Sequence, residues 1–311
     1  MNRLTVLFTS AALMLAQKAQ PALKPIDGDL HPSDHKSTVI FKTTPQGDLK
    51  MNLYFPKDWK PGDRRPGIVF FFGGGFVGGS PRQFAHTAEY FAGRGMVAAS
   101  SEYRIRNIHH TEAQKSIEDA KSAVRWLRMN ARELGIDPNR IVAGGGSAGG
   151  TCAALAAYNS TFEPEGEDKT ISSEPNALVL YNPALGFGRN FNQAKPEQIR
   201  TLEPVISAWS VRKGGPPAIL FYGTADELQE TGRAFVEQMI AAGNRAELYT
   251  AAGQKHGFFN ERGIAAGVGP WHELVLQQTD RFLSSLGYLD GPPEIAPPPG
   301  TTAALERELP Q

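Results

Sequence analysis

Short runs of apolar residues alternate with longer segments of mixed polarity along most of the chain. Two of the runs, residues 67–72 and 177–181, are apolar without alternation, which is typical of strands buried on both faces of a parallel sheet. Segments 111–134 and 227–242 have helical periodicity and are each followed by glycine, a common helix stop. The predicted strands are residues 37–43, 49–55, 67–72, 96–100, 141–144, 177–181, 218–222 and 246–250, and the predicted helices are residues 81–94, 111–134, 147–158, 227–242 and 271–286.

This alternation of strands and helices predicts an α/β fold, with a mostly parallel central sheet flanked by helices on both faces. Residues 182–215 have no strong periodicity, and we expect them to form a small irregular cap over the site. The tail, residues 291–311, is rich in proline, which predicts disorder. Residues 23–290 then form one catalytic domain, a normal size for an α/β domain.

The first 22 residues have the pattern of a secretory signal peptide. Arg3 precedes an almost uncharged apolar run over residues 4–16, and small residues follow at Ala16, Ala19 and Ala22. The run is short for a bilayer span, so removal after export fits it better than anchoring. We therefore expect a secreted or periplasmic bacterial protein without stable membrane association, the alternative being an uncleaved, tethered form.

Composition excludes several classes of function. The 311 residues contain 32 Lys and Arg against 32 Asp and Glu, so no basic excess is present to bind nucleic acid. The single cysteine, Cys152, rules out an intrachain disulfide and is interpreted as a buried packing residue. No Cys/His cluster has the spacing of metal ligands, and we predict neither a metal nor another cofactor. The sequence leaves the oligomeric state open.

Residues 145–149 read Gly-Gly-Ser-Ala-Gly and lie between a predicted strand and a predicted helix. Strand, Gly-x-Ser-x-Gly and helix together are the sequence form of a nucleophile elbow. Glycine at the flanking positions removes side chains that would collide in so sharp a turn. The turn lifts the Ser147 hydroxyl out of the sheet and leaves the N–H of Ala148 at a helix N-terminus, where it can stabilise negative charge.

A serine hydroxyl needs a positioned base, and the remaining strands supply candidates. Asp226 follows the strand at 218–222, and His256 follows the strand at 246–250. Both residues therefore lie at the carboxyl edge of the sheet, where sites in open α/β folds form. We predict that Ser147 is the nucleophile, His256 the base and Asp226 the residue that orients it. Glu227 and Glu230 are the alternatives to Asp226.

Residues 72–76, Phe-Gly-Gly-Gly-Phe, follow the buried strand at 67–72, where an oxyanion loop belongs. Glycines allow backbone N–H groups to approach the developing negative charge. His109 and His110 follow another strand at the same edge and are candidate substrate contacts. A set of aromatic residues could either line the pocket or belong to the core; its members are Phe72, Phe76, Phe187, Trp209, Phe258 and Phe259.

Four segments together resemble esterases of the α/β-hydrolase fold, close to the hormone-sensitive-lipase-like and feruloyl-esterase-like branch of secreted bacterial enzymes. They are residues 72–76, residues 137–141 leading into 145–150, the sequence Gly-Thr-Ala-Asp at 223–226, and His-Gly-Phe-Phe at 256–259. The resemblance covers about residues 37–290 and implies that Gly74 and Gly75 join Ala148 as oxyanion donors. Related lipases usually carry histidine where this chain has Phe72, so the loop must be braced differently here.

The residues and the resemblance together predict a serine esterase acting on small esters. Many relatives of this type act on acylated carbohydrates, so an acetyl group on a xylan-type carbohydrate or on an aryl alcohol is the expected substrate. A peptidase, an amidase or a feruloyl esterase with the same triad is the enzymatic alternative. A non-catalytic binding protein of the same fold is the alternative from another class, although such proteins typically lose a triad member.

Overall fold

A computed structural model describes residues 22–26, 30, 32, 34–186, 202–261, 267 and 269–308. The predicted signal peptide, except Ala22, and residues 187–201 of the predicted cap lie outside these ranges. Within the described ranges, no helix is both long enough and apolar enough to cross a membrane. The domain limits that we predict from the sequence remain predictions.

Ten strands in the described part of the chain form one sheet. In chain order they are β1 (Ala22–Leu23), β2 (Lys36–Thr44), β3 (Gly47–Tyr54), β4 (Arg65–Phe71), β5 (Val97–Ser101), β6 (Ile136–Gly146), β7 (Ala177–Tyr181), β8 (Ala218–Gly223), β9 (Ala246–Ala251) and β10 (Leu305–Glu308). Their spatial order is β1-β2-β3-β5-β4-β6-β7-β8-β9-β10. The strands from β5 to β9 run parallel, and the pairs at both ends are antiparallel. The α/β fold with a mostly parallel sheet is thus confirmed.

Helices cover both faces of the sheet, as the alternating pattern predicts. They are α1 (Ala85–Gly93), α2 (Arg106–His109), α3 (Ala113–Met129), α4 (Ala148–Tyr158), α5 (Gln229–Ala241) and α6 (Trp271–Ser285), with a 3₁₀ turn at Pro81–Phe84 before α1. Side chains of α3, α4 and α5, such as Val124, Leu155 and Phe235, belong to one apolar core. Side chains of α1 and α6, such as Phe91 and Leu283, belong to the second core on the opposite face.

The proline-rich tail departs from its expected disorder. Residues 305–308 form β10, which pairs with the edge strand β9. Side-chain bonds reinforce this pairing, because Glu308 accepts hydrogen bonds from Gln229 and Arg233 on α5. Ile295 and Leu305 also pack against the core on the α6 side. Backbone pairing at an open sheet edge and a few apolar contacts therefore order a segment whose composition predicts the opposite.

A cluster of charged side chains is buried beneath α3. The Asp119 carboxylate contacts the Lys42 ammonium at 2.9 Å and the Arg104 guanidinium at 2.7 Å. Lys42 and Asp119 are both fully buried, and Glu167 lies 3.4 Å from the Lys42 ammonium. Each charge therefore has an opposite charge within contact distance, which is the condition for burying charges at all.

The contacts with Lys42 and Arg104 lower the pKa of Asp119. Burial alone would raise the pKa of this carboxyl group, but the charge of Lys42 and the hydrogen bond from Arg104 outweigh it and hold the pKa below its ordinary value. A folded-state pKa below the unfolded one contributes stability that is present above the ordinary pKa of aspartate. That stability is lost as the pH falls through the lowered value.

Asp119→Asn leaves Lys42 and Arg104 buried without their common negative charge. We expect it to lower the free energy of unfolding by about 3–5 kcal/mol at neutral pH, and the loss to shrink on acidification as wild-type Asp119 becomes protonated. Urea denaturation of the variant beside Asp290→Asn, the same change at an exposed position, measures both effects. Equal stability of the two variants at neutral pH would contradict a stabilising role for the Asp119 charge.

Candidate active site

Ser147 lies between the end of β6 and the start of α4, in a backbone conformation that non-glycine residues rarely adopt. Its φ is 53° and its ψ is −122°. The Ser147 N–H donates to the carbonyl of Tyr181 at 2.8 Å, which ties the turn to the end of the neighbouring strand β7. A strained backbone held by its surroundings is a frequent feature of functional sites, and here it presents the serine hydroxyl above the sheet edge.

The glycines around Ser147 allow three elements to approach one another. A Cβ added at Gly145 would lie 2.5 Å from the Phe71 carbonyl oxygen at the end of β4. A Cβ at Gly149 would overlap that same oxygen, and one at Gly146 would overlap the Phe259 ring. The elbow therefore requires glycine at these positions because strand, helix and loop pack where a side chain would lie.

The structure brings the three predicted catalytic residues into hydrogen-bond contact. The Ser147 Oγ lies 2.9 Å from the His256 Nε2, and the His256 Nδ1 lies 2.9 Å from the Asp226 Oδ2. Asp226 follows β8 and His256 follows β9, so the parallel strands deliver both side chains to the edge where β6 ends. This is the geometry in which a base can take the serine proton while a carboxylate orients the base.

Asp226 is nearly fully buried, and polar groups surround its carboxylate. The Leu228 N–H donates to its Oδ1 at 3.0 Å, and the Asn182 side-chain amide donates to its Oδ2, which also contacts His256. Donors on both oxygens stabilise the ionised carboxylate in a buried position. Of the three acidic residues considered in the sequence analysis, Asp226 is the one whose contact with His256 is described.

Asn182 is a site residue that the sequence analysis missed. It is fully buried, has a φ of 46°, and lies directly after β7, as Asp226 and His256 lie after β8 and β9. Its place past a strand end at the same sheet edge is a signal that could have identified it. Asparagine tolerates this left-handed conformation better than most residues.

The glycine loop after β4 offers backbone donors beside Ser147. Gly74 has a φ of 130° and Gly75 a φ of 62°, both in the left-handed range that favours glycine. Within the described chain, neither N–H donates a backbone hydrogen bond outside regular helices and strands, and Ala148 is the first residue of α4. These N–H groups are thus available to an oxygen bound near Ser147. The Gly73 N–H, by contrast, donates to the Gln83 side chain at 2.6 Å.

A cleft of about 1060 Å³ opens beside Ser147 and His256. The glycine loop lines this cleft, and Phe259 contributes an apolar surface. The polar residues that line it are Ser80, Arg82, Gln83, His86, Glu89 and Glu261. The cleft of the reacting atoms therefore also contains hydrogen-bonding and charged groups.

Histidine and carboxylate groups lie together at the cleft residue His86. The His86 Nδ1 lies 3.4 Å from the His272 Nε2 and 3.7 Å from a Glu261 carboxylate oxygen. Burial disfavours the charged form of His272 and lowers its pKa below the ordinary value. No group of three or more His, Cys, Asp or Glu side chains within the described ranges is arranged to hold a metal ion.

Three predicted substrate contacts lie elsewhere. The Phe76 side chain is buried in the core on the α3 side, and its backbone φ is 62°. The His109 Nδ1 accepts the Ile105 N–H at 3.0 Å and so caps α2, and His110 ends that helix. None of the three is among the described residues that line the cleft, so their role as substrate contacts remains a prediction.

Most of the predicted aromatic set belongs to the core. Phe72, Phe76, Phe258 and Phe259 are all buried, and only Phe259 among them also lines the cleft. Trp209 packs edge-on against Phe235. Phe187 lies outside the described residues. Between the two alternatives that the sequence leaves open, the core therefore accounts for these side chains better than a pocket lining.

Comparison with known proteins finds similar esterases. The family described as BD-FAE matches residues 51–181. The esterase LipI of Mycobacterium tuberculosis is 26% identical over 239 residues, which cover 71% of this chain and 74% of that protein. The carboxylesterase NlhH of the same species is 28% identical over 243 residues, which cover 68% and 72% of the two chains.

Solved structures are more similar still. Thermogutta terrifontis esterase 2 in its apo form is 43% identical, with a TM-score of 0.76, and the match covers 83% of this chain and 97% of that one. The same esterase has been solved with propionate bound, with butyrate bound and phosphorylated by paraoxon.

A substitution at Gly149 directly tests the close packing at the elbow. Gly149→Ala forces a methyl group into the Phe71 carbonyl oxygen, so we expect a loss of about 1–3 kcal/mol of stability from overpacking. Gly93→Ala is the matched control, because an added Cβ there meets no atom within 4 Å at the end of α1. Thermal unfolding of both variants measures the difference, and an equal midpoint for the two would contradict the close approach at Gly149.

Proposed function

Because the chain belongs to the esterases of the α/β-hydrolase fold, we propose that it hydrolyses short-chain carboxylic esters through an acyl-enzyme formed on Ser147. The expected acyl group is acetyl, on a carbohydrate of the xylan type or on an aryl alcohol. That the protein is a carboxylic ester hydrolase follows from its relatives. The acyl-enzyme and the choice of substrate are our proposal, and the contact between Ser147 and His256 is the observation that carries it.

In the first half-reaction, the Ser147 Oγ attacks the ester carbonyl carbon while the His256 Nε2 accepts the hydroxyl proton. The carbonyl oxygen becomes an oxyanion, which the N–H groups of Gly74, Gly75 and Ala148 stabilise. The tetrahedral intermediate collapses when His256 returns the proton to the leaving alcohol, so the C–O bond to the alcohol breaks and an acyl-serine remains. Asp226 holds the imidazole in position and stabilises its protonated form.

The second half-reaction repeats these steps with water as the nucleophile. His256 accepts a proton from water, the hydroxide adds to the acyl carbon, and a second oxyanion forms at the same N–H groups. Collapse breaks the bond to Ser147, whose oxygen regains its proton from His256. The acid product leaves and the residues return to their starting protonation states, so no cofactor or metal is consumed or required.

Two observations support a short acyl group on a polar alcohol. A similar esterase was solved with propionate and with butyrate bound, and both are short acyl chains. The polar cleft residues Ser80, Arg82 and Glu89 offer hydrogen-bond partners for the hydroxyl groups of a carbohydrate, in a cleft whose roughly 1060 Å³ leave room for one or more sugar rings.

A peptidase or amidase and a feruloyl esterase would use the same three residues, so the difference between them lies in the substrate. A non-catalytic binding protein would need no contact between the serine hydroxyl and the histidine. The hydrogen-bonded chain from Ser147 to Asp226 counts against that alternative. Rates on amide, ferulate and acetate substrates distinguish the others.

Acid release from a matched panel tests the proposal. We expect p-nitrophenyl acetate and butyrate to be cleaved faster than p-nitrophenyl octanoate, methyl ferulate or p-nitroacetanilide, and acetate to be released from acetylated xylan. Ser147→Ala should lower kcat by roughly 10⁴-fold or more, because triad residues act as a unit. A faster octanoate reaction would refute the short-chain preference, and unchanged activity in Ser147→Ala would refute the nucleophile.

We also propose that the protein is exported, with its first residues removed. The supporting observation is the sequence pattern of Arg3, the apolar run at 4–16 and the small residues after it. Expression of the full chain in a bacterial host should yield a mature protein that starts between residues 17 and 23, outside the cytoplasm. N-terminal sequencing of fractionated cells tests this, and an intact Met1 in the cytoplasmic fraction would contradict it.

A further inference from the structure

The Gln83 side chain connects the two loops that meet at Ser147. Its Oε1 accepts the N–H of Gly73 at 2.6 Å, in the glycine loop. Its Nε2 donates to the Asn260 Oδ1 at 2.7 Å, in the loop that carries His256. The Asn260 Nδ2 in turn donates to the Gly257 carbonyl oxygen at 2.9 Å. A continuous chain of hydrogen bonds therefore runs from the glycine loop to the residue after His256.

The donors and acceptors along this chain fix both amide orientations. A backbone N–H can only donate, so the oxygen of Gln83 must face Gly73, and its NH₂ group then faces Asn260. The oxygen of Asn260 accepts from that group, and its own NH₂ group points to the Gly257 carbonyl. All three bonds thus have the same direction, an arrangement in which each bond polarises and strengthens the next.

Backbone hydrogen bonds hold the far half of the glycine loop, because the N–H groups of Val77 and Gly78 donate to the Gly74 carbonyl at 3.0 and 3.1 Å. Side chains contribute less. Gly73, Gly74 and Gly75 have no side chains, and the side chain of Phe72, the residue before them, cannot form a hydrogen bond. The Tyr103 hydroxyl fixes the start of the loop by donating to the Phe72 carbonyl at 2.6 Å. Among the hydrogen bonds of the described residues, the side chain that binds the loop backbone after Phe72 is that of Gln83.

The position of Gly73 is coupled to the nucleophile. A Cβ at Gly73 would lie 3.0 Å from the Gly146 carbonyl oxygen and 3.2 Å from the Ser147 Cβ, so the loop already rests against the elbow. The Gly73 N–H is already paired, because it donates to the Gln83 side chain. The orientation of this peptide sets where the next two N–H groups, those of Gly74 and Gly75, can point.

We propose that Gln83 is a positioning residue, which aligns the oxyanion donors of the glycine loop with the histidine loop through Asn260. This inference rests on the proposed function, since it concerns the N–H groups of Gly74 and Gly75 that stabilise the oxyanion. Gln83 acts on the transition states and not on the bound ester, because the carbonyl oxygen carries its full negative charge only after attack.

A kinetic signature follows from this role. The same oxyanion site serves acylation and deacylation, so weakening it slows both steps by a similar factor. KM then stays nearly constant while kcat falls. A trifluoromethyl ketone, which adds to the serine as a tetrahedral oxyanion, should lose affinity by the same factor as kcat/KM. A merely structural role for Gln83 would not link these two quantities.

Gln83→Met tests the proposal, because methionine has a similar length and removes both hydrogen bonds. We expect kcat to fall about 10- to 100-fold with KM changed less than about twofold, on acetate esters of several alcohols. Gln238→Met is the matched control, the same substitution at an exposed position of α5. Thermal unfolding midpoints verify that both variants fold, and Gln83→Leu serves as a second variant if the first does not.

A double-mutant cycle with Asn260→Ala tests the connection to the histidine loop. If the two side chains act as one unit, the double variant loses much less activity than the product of the two single losses. Losses that multiply would overturn the part assigned to Asn260. A kcat in Gln83→Met equal to that of the wild type would overturn the proposal. A KM that rises by a different factor for each alcohol would also overturn it, because Gln83 would then be a binding residue for the alcohol.

Ser147→Ala, assayed in parallel, keeps this inference separate from the proposed function. If wild type binds the ketone and Ser147→Ala does not, the nucleophile holds, and the Gln83 variant alone decides the inference. If Ser147→Ala retains activity or ketone binding, the proposed function fails irrespective of the result for Gln83.

Discussion

The structure depends on one close approach, that of the first turn of α4 to the end of β4. The Phe71 carbonyl oxygen occupies the space that side chains at Gly145 and Gly149 would need. With strand and helix this close, the chain must reverse within a single residue, and Ser147 takes a φ of 53° to do so. The exposed hydroxyl, the N–H of Ala148 at the helix start and the contact with the glycine loop all result from this packing.

The parallel sheet then assembles the remaining groups by the position of its strand ends. Asn182, Asp226 and His256 follow β7, β8 and β9, so a set of polar residues distant in sequence meets at one edge. Only part of this set faces solvent. The Asp226 side chain is 1% exposed and that of His256 is 41% exposed, so the orienting charge is shielded from water while the base remains accessible to substrate and to the hydrolytic water.

Features encoded within a few residues were predictable from the sequence. The unbroken apolar runs predict the central strands, the glycine pattern predicts the elbow, and the order of serine, acid and histidine predicts the three residues that the structure brings together. Contacts between distant segments that no motif marks were not predictable. Gln83 and Asn260 are 177 residues apart, and no local pattern connects them.

Other differences between what the sequence indicates and what the structure shows also result from contacts between distant segments. A lysine in a strand is ordinarily read as exposed, yet Lys42 is fully buried because Asp119, on a helix, neutralises it. The tail was expected to be disordered from its prolines, but the free edge of β9 pairs with it. Phe76 was one of the aromatic residues that could line the pocket, and its side chain instead packs in the core on the α3 side.

The most direct measurement of the central claim is stoichiometric reaction with paraoxon, followed by peptide mapping by mass spectrometry. An activated serine displaces p-nitrophenol from phosphorus and retains the diethylphosphoryl group. We expect one p-nitrophenol released per protein molecule, a single adduct on Ser147, and no release from Ser147→Ala. An adduct on another residue, or no adduct in a protein that still hydrolyses esters, would contradict it.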